Sequence, residues 1–418
     1  MKYQAPKGVS EYFPPRSQSF ELVRQTLLAP IRQAGYQLLE LPIFEDTELF
    51  TRGVGESTDV VNKEMYTFED RGGRSITLRP EGTVGALRSV IEHGLDRGSL
   101  PAKFFYSGQF FRAERPQAGR YRQFYSVGIE AIGSDDPALD AEVMDIAYSG
   151  FCALGLKSFH LEITSLGDKA SRAAHRLDLD KFIAAQTFDE PTKERAKINP
   201  LRLFDDKRDE IKELMAKAPI LLDYLSDQSR DHFSQVQSYL KVLEIPFQVN
   251  PRMVRGLDYY TGTTFEFVHD LLGAQSGIGG GGRYDGLMAE LGGRDITGIG
   301  FGLGVDRALL AAEAEGVANL GGNPADLILI PIGIDAMTMA IRFAHELRSS
   351  HLQVEISFGD RSVKSAMKVA DKSGSKFVVV IGDEEIASGS VELKEMSKGT
   401  VTSVTLTSLV AALLAPTP

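Results

Sequence analysis

The sequence contains a single cysteine, Cys152, among 418 residues. One cysteine excludes an internal disulfide and the paired-cysteine spacing of zinc fingers. The seven histidines nowhere fall at the short intervals typical of metal ligands, so they predict no metal site. The longest apolar runs, 377–381 and 409–415, are far shorter than the roughly 20 residues that span a bilayer. The N-terminus leads into no apolar segment of the signal-peptide kind, and we expect a cytoplasmic protein without a membrane segment.

The composition is that of a folded globular protein. Hydrophobic residues make up 43% of the chain and charged residues 25%, which excludes a disordered or fibrous protein. The length predicts two to three domains. With 46 basic and 57 acidic side chains, the net charge is −11. This balance argues against non-specific coating of a nucleic acid but leaves room for local basic patches.

Residues 1–164 carry the pattern of a first α+β segment. The stretch Phe20–Ala34 has the apolar spacing of an amphipathic helix, and Tyr36–Pro42 reads as a strand stopped by proline. Further strands are predicted over 104–112, 122–132 and 157–164. The first two of these are predicted to form a long hairpin.

The rest of the chain divides into four parts. Residues 165–245 are charge-rich and predict a helical insertion, with Asp231 as a candidate helix N-cap. Strand signals resume over 246–315, which we interpret as the second part of the core. Glycine, asparagine and proline in 316–325 predict a linker. Strands and helices alternate over 326–418, which predicts a small α/β domain.

The segment Gly298–Arg307 alternates glycine with an apolar residue. Successive side chains of a strand point to opposite faces, so one face is predicted to be bare backbone and the other to pack into the core. Four glycines on one face suggest that a flat ligand approaches the backbone; tight packing against a neighbouring element is the alternative. Arg307, directly after the strand, is suited to stack on an aromatic ring or to bind phosphate.

A second glycine-rich segment, Gly277–Gly286, formally contains the G-x-G-x-x-G pattern. It lacks the Lys-Ser/Thr pair of a nucleotide P-loop. It also does not follow the first strand of a βαβ unit, which disfavours a dinucleotide-binding fold. Close approach of the backbone to a small ligand explains it better.

Four arginines fall within the eleven residues from Arg112 to Arg122, at the tip of the predicted hairpin. Arg112 and Glu114 are predicted to share a strand face, and arginine forks suit phosphate or carboxylate. A solvated basic turn is the alternative. The segments Arg255–Gly262 and Thr77–Thr83 likewise combine charged groups, hydroxyls and glycine, and each alone is a weak signal.

Taken in order, these segments resemble the class II aminoacyl-tRNA synthetases, and within them the histidyl-tRNA synthetases. The strand ending at Pro42 is similar to the first class motif, Phe111–Glu114 with its arginine-rich loop to the second, and Gly298–Arg307 to the third. Arg255–Thr261 resembles the histidine-specific signature. The resemblance implies an antiparallel-sheet core with flanking helices, a helical insertion and a C-terminal α/β anticodon-binding domain. It also implies a homodimer and tRNA(His) as partner.

The implied reaction joins L-histidine to ATP as histidyl-adenylate and then transfers the aminoacyl group to tRNA. By resemblance, Arg112 holds the α-phosphate and the substrate carboxylate, and Arg255 stabilises charge at the α-phosphate. Arg307 stacks against adenine or clamps the γ-phosphate. Glu114 orients the adenosine and Arg120 reaches the terminal phosphates. Mg²⁺ is expected with ATP, without a tightly bound cofactor or a protein metal site.

For histidine, the resemblance implies a pocket that reads both ends of the amino acid. Glu81 and Thr83, with Gly82 between them, receive the α-ammonium group. Glu130 and Tyr260 bracket the two imidazole nitrogens, which suits a ring with one donor and one acceptor. The remaining histidine-binding residues implied are Arg112, Ser126, Arg255, Tyr259 and Tyr284.

The chain departs from the family pattern at two points. Tyr125-Ser126 stands where the family has His-Gln, and the glutamine ordinarily helps to bind the amino acid. Asp306 stands where glutamate is usual.

The C-terminal segment offers one candidate RNA-binding surface. Nine basic and eleven acidic residues follow from Asp326 onward, so the segment is not basic overall. Arg361, Lys364, Lys368 and Lys372 nevertheless fall on one helical stripe suited to an RNA backbone. A solvated helix face opposite core residues Val363 and Met367 explains the stripe as well.

Two other functions share this fold. A regulatory subunit of ATP phosphoribosyltransferase, a histidine-sensing paralogue, would bind histidine without charging tRNA. Such subunits generally lack the anticodon domain and lose the ATP-binding arginines, whereas this chain retains both. A synthetase-like module that binds amino acids or other RNAs is the third reading.

Overall fold

The computed structural model describes residues 3–55, 58–317, 325–359 and 362–414. The chain divides into two compact units, Met1–Leu320 and Gly321–Pro418. Most of the predicted linker 316–325 lies outside the described residues. Within the described ranges, no helix is both long and apolar enough to cross a bilayer.

The first unit contains the following elements. Its strands are β1 (Gln37–Leu38), β2 (Phe44–Asp46), β3 (Tyr66–Glu69), β4 (Ser75–Leu78), β5 (Ala102–Phe111), β6 (Gln123–Ile132), β7 (Phe159–Ser165), β8 (Phe247–Val249), β9 (Thr261–His269), β10 (Gly277–Arg283) and β11 (Gly298–Gly304). Its helices are α1 (Arg16–Gln33), α2 (Thr47–Val54), α3 (Thr83–His93), α4 (Pro137–Ala153), α5 (Lys169–Ala184), α6 (Glu190–Ile198), α7 (Asp209–Met215), α8 (Asp227–Val242), α9 (Leu287–Glu290) and α10 (Val305–Ala314).

One eight-stranded sheet organises this unit, in the order β1-β5-β6-β11-β10-β9-β7-β8. The pairs β1–β5 and β7–β8 are parallel and the other neighbours antiparallel. The predicted hairpin is confirmed, because β5 and β6 pair from Ala102↔Ile132 to Phe111↔Gln123. A small sheet, β2-β4-β3, stands apart from it. The predicted α+β fold with a mainly antiparallel core is therefore correct.

The core lies on one face of the large sheet, under α1, α4, α8 and α10. Ile299, Phe301 and Leu303 of β11 are at most 3% exposed and pack into this core. Alternation then turns the glycines of β11 to the opposite face, as the sequence predicted. Helix α4 begins at Pro137, and the side chain of Asp136 caps it by accepting from the Ala138 amide at 2.8 Å.

The predicted helical insertion contains α5, α6 and α7, which share a small core of their own. Helix α8 differs, because Val236 and Leu240 pack into the main core instead. The predicted cap at Asp231 is wrong. The helix begins one turn earlier, where Ser226 accepts from the Ser229 amide at 3.2 Å.

Two strand predictions are corrected. The stretch Tyr36–Pro42 pairs with the sheet as a strand only at Gln37–Leu38, since the carbonyls of Leu41 and Pro42 accept from the Arg79 guanidinium instead. Arg112 and Glu114 do not share a strand face, because β5 ends at Phe111. The amide of Ala113 leaves the ladder and donates to the Glu64 carbonyl at 2.7 Å.

The second unit is the α/β domain that the sequence predicted. Its strands are β12 (Leu327–Pro331), β13 (Val354–Ile356), β14 (Phe377–Ile381), β15 (Ser390–Glu395) and β16 (Val401–Thr405), and its helices are α11 (Ile334–Ser349), α12 (Val363–Ser373), α13 (Asp383–Ser388) and α14 (Leu409–Leu414). The sheet order is β13-β12-β14-β15-β16, with the first three strands parallel and the last two antiparallel. Apolar side chains form separate clusters on its two faces, as expected for a sheet covered on both sides.

Candidate active site

A cleft of about 290 Å³ lies on the glycine-bearing face of the large sheet. Many of the residues predicted to bind substrates line it. These are Glu81, Gly82, Thr83, Arg112, Glu114, Arg120, Ser126, Arg255, Tyr259, Tyr260 and Arg307. They come from α3, β6, the hairpin tip, the loop before β9 and the start of α10. The fold therefore gathers segments that are far apart in the sequence around one cavity.

The surroundings of the glycines on β11 change along the strand. A Cβ at Gly298 would collide with the Tyr284 ring, and one at Gly300 with the Ile129 carbonyl and the Glu130 carboxylate. At Gly302 the nearest atom would be the Ser126 Oγ, 3.6 Å away. Packing therefore explains the first two glycines, whereas Gly302 lies exposed on the cleft floor. The packing alternative from the sequence is confirmed for the first half of the strand, and the ligand alternative stays a prediction for the second half.

One end of the cleft is built on buried carboxylates. Glu81 is 8% exposed, and its carboxylate accepts from the amides of Thr83 and Val84 at 2.8 and 2.9 Å and from the Tyr259 hydroxyl at 3.2 Å. Two of these donors belong to the first turn of α3, where a negative charge is favoured. Burial nevertheless raises the pKa of Glu81 above its usual value.

Glu130 lies behind the cleft wall. It is completely buried and absent from the cavity lining. Its Oε1 accepts from the Tyr106 hydroxyl at 3.1 Å, while Oε2 has no hydrogen-bond partner among the described residues. Burial raises the pKa of Glu130 to about 8. Tyr284, 2% exposed, also lies outside the lining. Glu130 and Tyr284 thus border the site from beneath, and Tyr106 connects Glu130 to the cleft.

Arginines line the rest of the cleft. The Arg307 guanidinium donates to the carbonyls of Gly119 and Gly277 at 2.7 and 2.6 Å. Within the described ranges it forms no ion pair, and burial, with Arg112 nearby, lowers its pKa. Arg112 donates to the Pro80 carbonyl at 3.0 Å. Neutral partners fix both side chains while leaving their positive charge available to an anionic ligand.

Two other cations in the cleft have carboxylate partners. Arg255 pairs with Glu266 at 3.1 Å and lies over the Tyr260 ring at 5.3 Å. Burial alone would lower the pKa of Arg255, but the charge of Glu266 raises it. Arg120, on the hairpin loop, forms an ion pair with Glu114. A ligand that binds Arg120 must therefore compete with an internal carboxylate.

Asp306 and Ser126, two residues that depart from the family pattern, are both held by hydrogen bonds. Asp306 accepts from the Tyr12 hydroxyl at 2.5 Å and from the Tyr125 amide at 2.6 Å. It therefore ties β6 to the start of α10, next to Arg307. The Ser126 hydroxyl donates to the Leu303 carbonyl at 3.1 Å, so this short side chain is engaged with the sheet.

Sequence reasoning missed Tyr106 and Glu266. Tyr106 was part of a predicted strand without an assigned role, and its position under Gly82 and Gly128 depends on long-range packing. Glu266 is the one carboxylate in strand β9. A charged residue in such a strand is the signal that could have identified it.

Three of the four basic residues predicted to form an RNA-binding stripe lie within the described residues. Lys364, Lys368 and Lys372 are exposed on α12, and Arg361 lies outside the described residues. The helix buries Ala366 and Ala370, so the expectation of Val363 as a core residue is wrong. Within the part of the chain that the structure describes, no group of three or more His, Cys, Asp or Glu side chains is arranged to hold a metal ion.

Comparisons with known proteins agree with this geometry. The family model described as histidyl-tRNA synthetase matches residues 8–308, and the anticodon binding domain model matches residues 326–415. The histidine–tRNA ligase of Saccharopolyspora erythraea is 57% identical over 410 residues, covering 98% of this chain and 98% of that protein. The ligase of Mycolicibacterium vanbaalenii is 58% identical over 412 residues, covering 99% of this chain and 98% of that protein.

A solved structure shows the same relationship. The crystal structure of apo histidyl-tRNA synthetase from S. aureus has a TM-score of 0.82 and 35% sequence identity, covering 98% of this chain and 99% of that chain. The similarity thus extends over both units at a level well above that of a shared fold alone. The chain belongs to the histidyl-tRNA synthetase family, whose members are aminoacyl-tRNA ligases.

Proposed function

We propose that this chain activates L-histidine with ATP and transfers it to the 3′ end of tRNA(His). The observation that carries the proposal is the polarity of the cleft. Buried Glu81 and the Tyr106–Glu130 pair lie at one end, and Arg307 lies at the other. Arg112 lies between them, because it donates to the Pro80 carbonyl next to Glu81 and is also near Arg307. Neither arginine has a carboxylate partner among the described residues. An amino acid with a polar ring suits the first end and a nucleoside triphosphate the second.

At the carboxylate end, we assign Glu81 to the α-ammonium group of histidine, with Gly82 and Thr83 beside it. Glu130 and Tyr260 are proposed to recognise the imidazole, Glu130 through Tyr106, whose hydroxyl lies between it and the cleft. Tyr259 and Tyr284 pack around them, with ring centroids 6.3 Å apart. An amino acid without the ring nitrogens would leave these buried groups unpaired, a penalty that can discriminate by about 10⁴-fold.

At the arginine end, we assign Arg307 to adenine or the γ-phosphate, Glu114 to the adenosine and Arg120 to the terminal phosphates. Mg²⁺ would enter with ATP. Glu114 and Glu266 supply carboxylate oxygens in this part of the cleft, the ligand type that Mg²⁺ prefers.

Catalysis is proposed to rest on Arg112 and Arg255. When the histidine carboxylate attacks the α-phosphate, a carboxylate–phosphorus bond forms and the bond to pyrophosphate breaks. Arginines fixed in advance on both sides of that phosphorus stabilise the transferred charge and hold the reactants in line. In the second step the tRNA ribose hydroxyl displaces AMP from the acyl carbon.

For tRNA, we propose that residues 326–418 form the anticodon-binding domain. Within it, Lys364, Lys368 and Lys372, and Arg361 from outside the described residues, are assigned to the RNA backbone. The other proposed boundaries are 1–164 and 246–315 for the catalytic core, 165–245 for the insertion and 316–325 for the linker.

A cytoplasmic homodimer is also proposed. Leu38, Ile43 and Phe44 are 59%, 45% and 53% exposed beside the first class motif, and a second copy would cover them. Sedimentation velocity tests this directly, since a monomer at micromolar concentration would contradict it.

The regulatory paralogue is the competing function. The full-length relatives at 57–58% identity are named histidine–tRNA ligases, and this supports the synthetase over the regulatory subunit. Arg112 and Arg307, which have no carboxylate partner among the described residues, support the same choice. A protein that senses histidine alone does not need them to bind ATP.

The experiment that tests the proposal is ATP–pyrophosphate exchange with each of the twenty amino acids. We expect exchange with histidine alone, followed by charging of tRNA(His). Histidine binding without exchange would favour the regulatory paralogue. Exchange with a different amino acid would contradict the assignment of Glu130 and Tyr260.

A further inference from the structure

The loop 250–260 between β8 and β9 separates two cavities. Arg255, Leu257 and Tyr260 line the active-site cleft and also line a second cavity of about 430 Å³. The second cavity lies between this loop and the helical insertion, where α5 supplies much of its other wall. The loop is therefore a single layer of residues between the active-site cleft and the second cavity.

The loop has little structure of its own. It contains neither helix nor strand. Its amides make main-chain hydrogen bonds at Asn250, to the Ile163 carbonyl at 2.9 Å, at Met253, to the Asn250 carbonyl at 3.2 Å, and at Asp258, to the Val54 carbonyl at 3.4 Å. Because one face of the loop borders a cavity, close packing contributes little to its position there. Leu257 and Tyr259 pack against a buried apolar cluster, but where the loop borders the cavity, polar contacts must fix its conformation.

Two arginines of the insertion hold the main chain of this loop. Arg172, in the first turn of α5, donates from Nη1 to the Tyr260 carbonyl at 3.1 Å. Arg202 donates from Nη2 to the Gly256 carbonyl at 2.9 Å. The two bonds lie at Gly256 and Tyr260, so residues 257–259 lie between them. Hydrogen bonds from a charged donor are stronger than neutral ones.

Two further bonds join the same partners. The Asn199 side chain donates to the Asp258 carboxylate at 3.3 Å. In the opposite direction, Arg252 donates to the Ala216 carbonyl at 2.6 Å. The insertion is thus connected to the loop at four places along its length, and none of the insertion residues that make these bonds lines the substrate cleft.

We propose that Arg172 and Arg202 are positioning residues for histidine activation. They fix the carbonyls of Tyr260 and Gly256, and thereby hold Arg255 and the tyrosines against the cleft. Neither arginine lines the cleft, so each acts through the loop. The inference rests on the proposed function of the cleft. It adds that the insertion, not the catalytic sheet alone, determines the geometry of the histidine pocket.

The test is steady-state pyrophosphate exchange by the full-length chain carrying Arg172→Ala. A displacement of about 1 Å can cost on the order of 10²-fold in rate. We expect the histidine KM to rise by about 10-fold or more and kcat to fall. The ATP KM should stay within about 2-fold of wild type, because Arg307 and Arg112 are held by hydrogen bonds to residues outside this loop. Arg202→Ala is expected to raise the histidine KM and lower kcat in the same way, with little change in the ATP KM.

Arg176→Ala is the matched control. Arg176 lies one turn further along α5 and lines the same second cavity, but its guanidinium pairs with Asp180 and does not reach the loop. We expect wild-type constants from it. Guanidinium ion added to Arg172→Ala should partly restore the histidine KM, since the cavity is open to it, and should leave the control unchanged.

The outcomes separate the two proposals. Wild-type protein without histidine-dependent exchange would overturn the proposed function, and this inference with it. If the wild type exchanges and both arginine variants keep their histidine KM, the positioning role alone is overturned. An equal rise of both KM values with a lowered Tm, unrelieved by guanidinium, would show a general structural role and also overturn it. If Arg172→Ala does not fold, Arg202→Ala decides, because Arg202 is only half-buried.

Discussion

The hydroxyl of Tyr106 donates a hydrogen bond of 3.1 Å to the completely buried carboxylate of Glu130. The ring of Tyr106 lies where a Cβ at Gly82 or Gly128 would otherwise stand. Two glycines from separate segments thus make the space through which a phenol reaches a buried acid. This arrangement connects the floor of the cleft to a group whose protonation changes near neutral pH.

Glu130 is expected to make stability depend on pH. Burial raises its pKa from 4.5 to about 8 in the folded protein. Between those values the folded state binds more protons than the unfolded state, so the stabilising contribution is complete below pH 4.5 and is lost as the pH rises through about 8. Relative to Glu130→Gln, the wild type should therefore lose a few kcal/mol of unfolding free energy across this window. Urea unfolding at several pH values measures it, and parallel profiles for the two proteins would contradict it.

Two glycines of one strand should respond in opposite ways to alanine. At Gly300 an added Cβ meets Ile129 and Glu130, and we expect Gly300→Ala to lose about 1–3 kcal/mol of stability. At Gly302 the nearest atom is 3.6 Å away on the cleft floor. Gly302→Ala should therefore keep the wild-type Tm but lower kcat/KM in pyrophosphate exchange about 10-fold or more, because the methyl group displaces substrate. A fully active Gly302→Ala would show that no ligand contacts this face.

Arg307→Ala should weaken ATP binding. Three neutral oxygen atoms, from Gly119, Gly277 and Gln275, hold its guanidinium, which leaves its charge for a phosphate or an adenine ring. Loss of a charge-assisted bond of about 1.5–3 kcal/mol corresponds to a roughly 10- to 100-fold rise in the ATP KM. Arg115→Ala, an exposed hairpin arginine outside the cleft lining, is the control. Equal effects from both variants would point to overall charge instead of a specific contact.

Charge reversal on α12 should separate the two steps of the reaction. Lys364→Glu with Lys368→Glu is expected to reduce tRNA charging by about 10-fold or more at low salt, because phosphate contacts dominate affinity for nucleic acids. Pyrophosphate exchange should be unchanged. Arg342→Glu, at an exposed position on α11, should charge tRNA normally. If exchange falls together with charging, or if the control is equally impaired, the assignment of this stripe to RNA is wrong.

Local sequence patterns were sufficient for much of the fold. The alternation in Gly298–Gly304 predicted both the strand and its buried side, because strand periodicity depends only on neighbouring residues. The hairpin of β5 and β6 followed in the same way. One error occurred where a long-range bond replaced a local one, because Arg79 takes the carbonyls that would have extended β1. The other was a choice between two local caps, since Ser226, not Asp231, begins α8.

By itself, the sequence singled out candidate site residues in distant segments, and most of them line one cleft. Only the tertiary structure decided how they are arranged. It buried Glu130 behind Tyr106, packed Gly300 of one glycine face while leaving Gly302 open to the cleft, and brought Arg172 to the carbonyl of Tyr260, 88 positions along the chain. Those relationships depend on the closure of long loops and on packing between distant elements, for which the identity of neighbouring residues contains no signal.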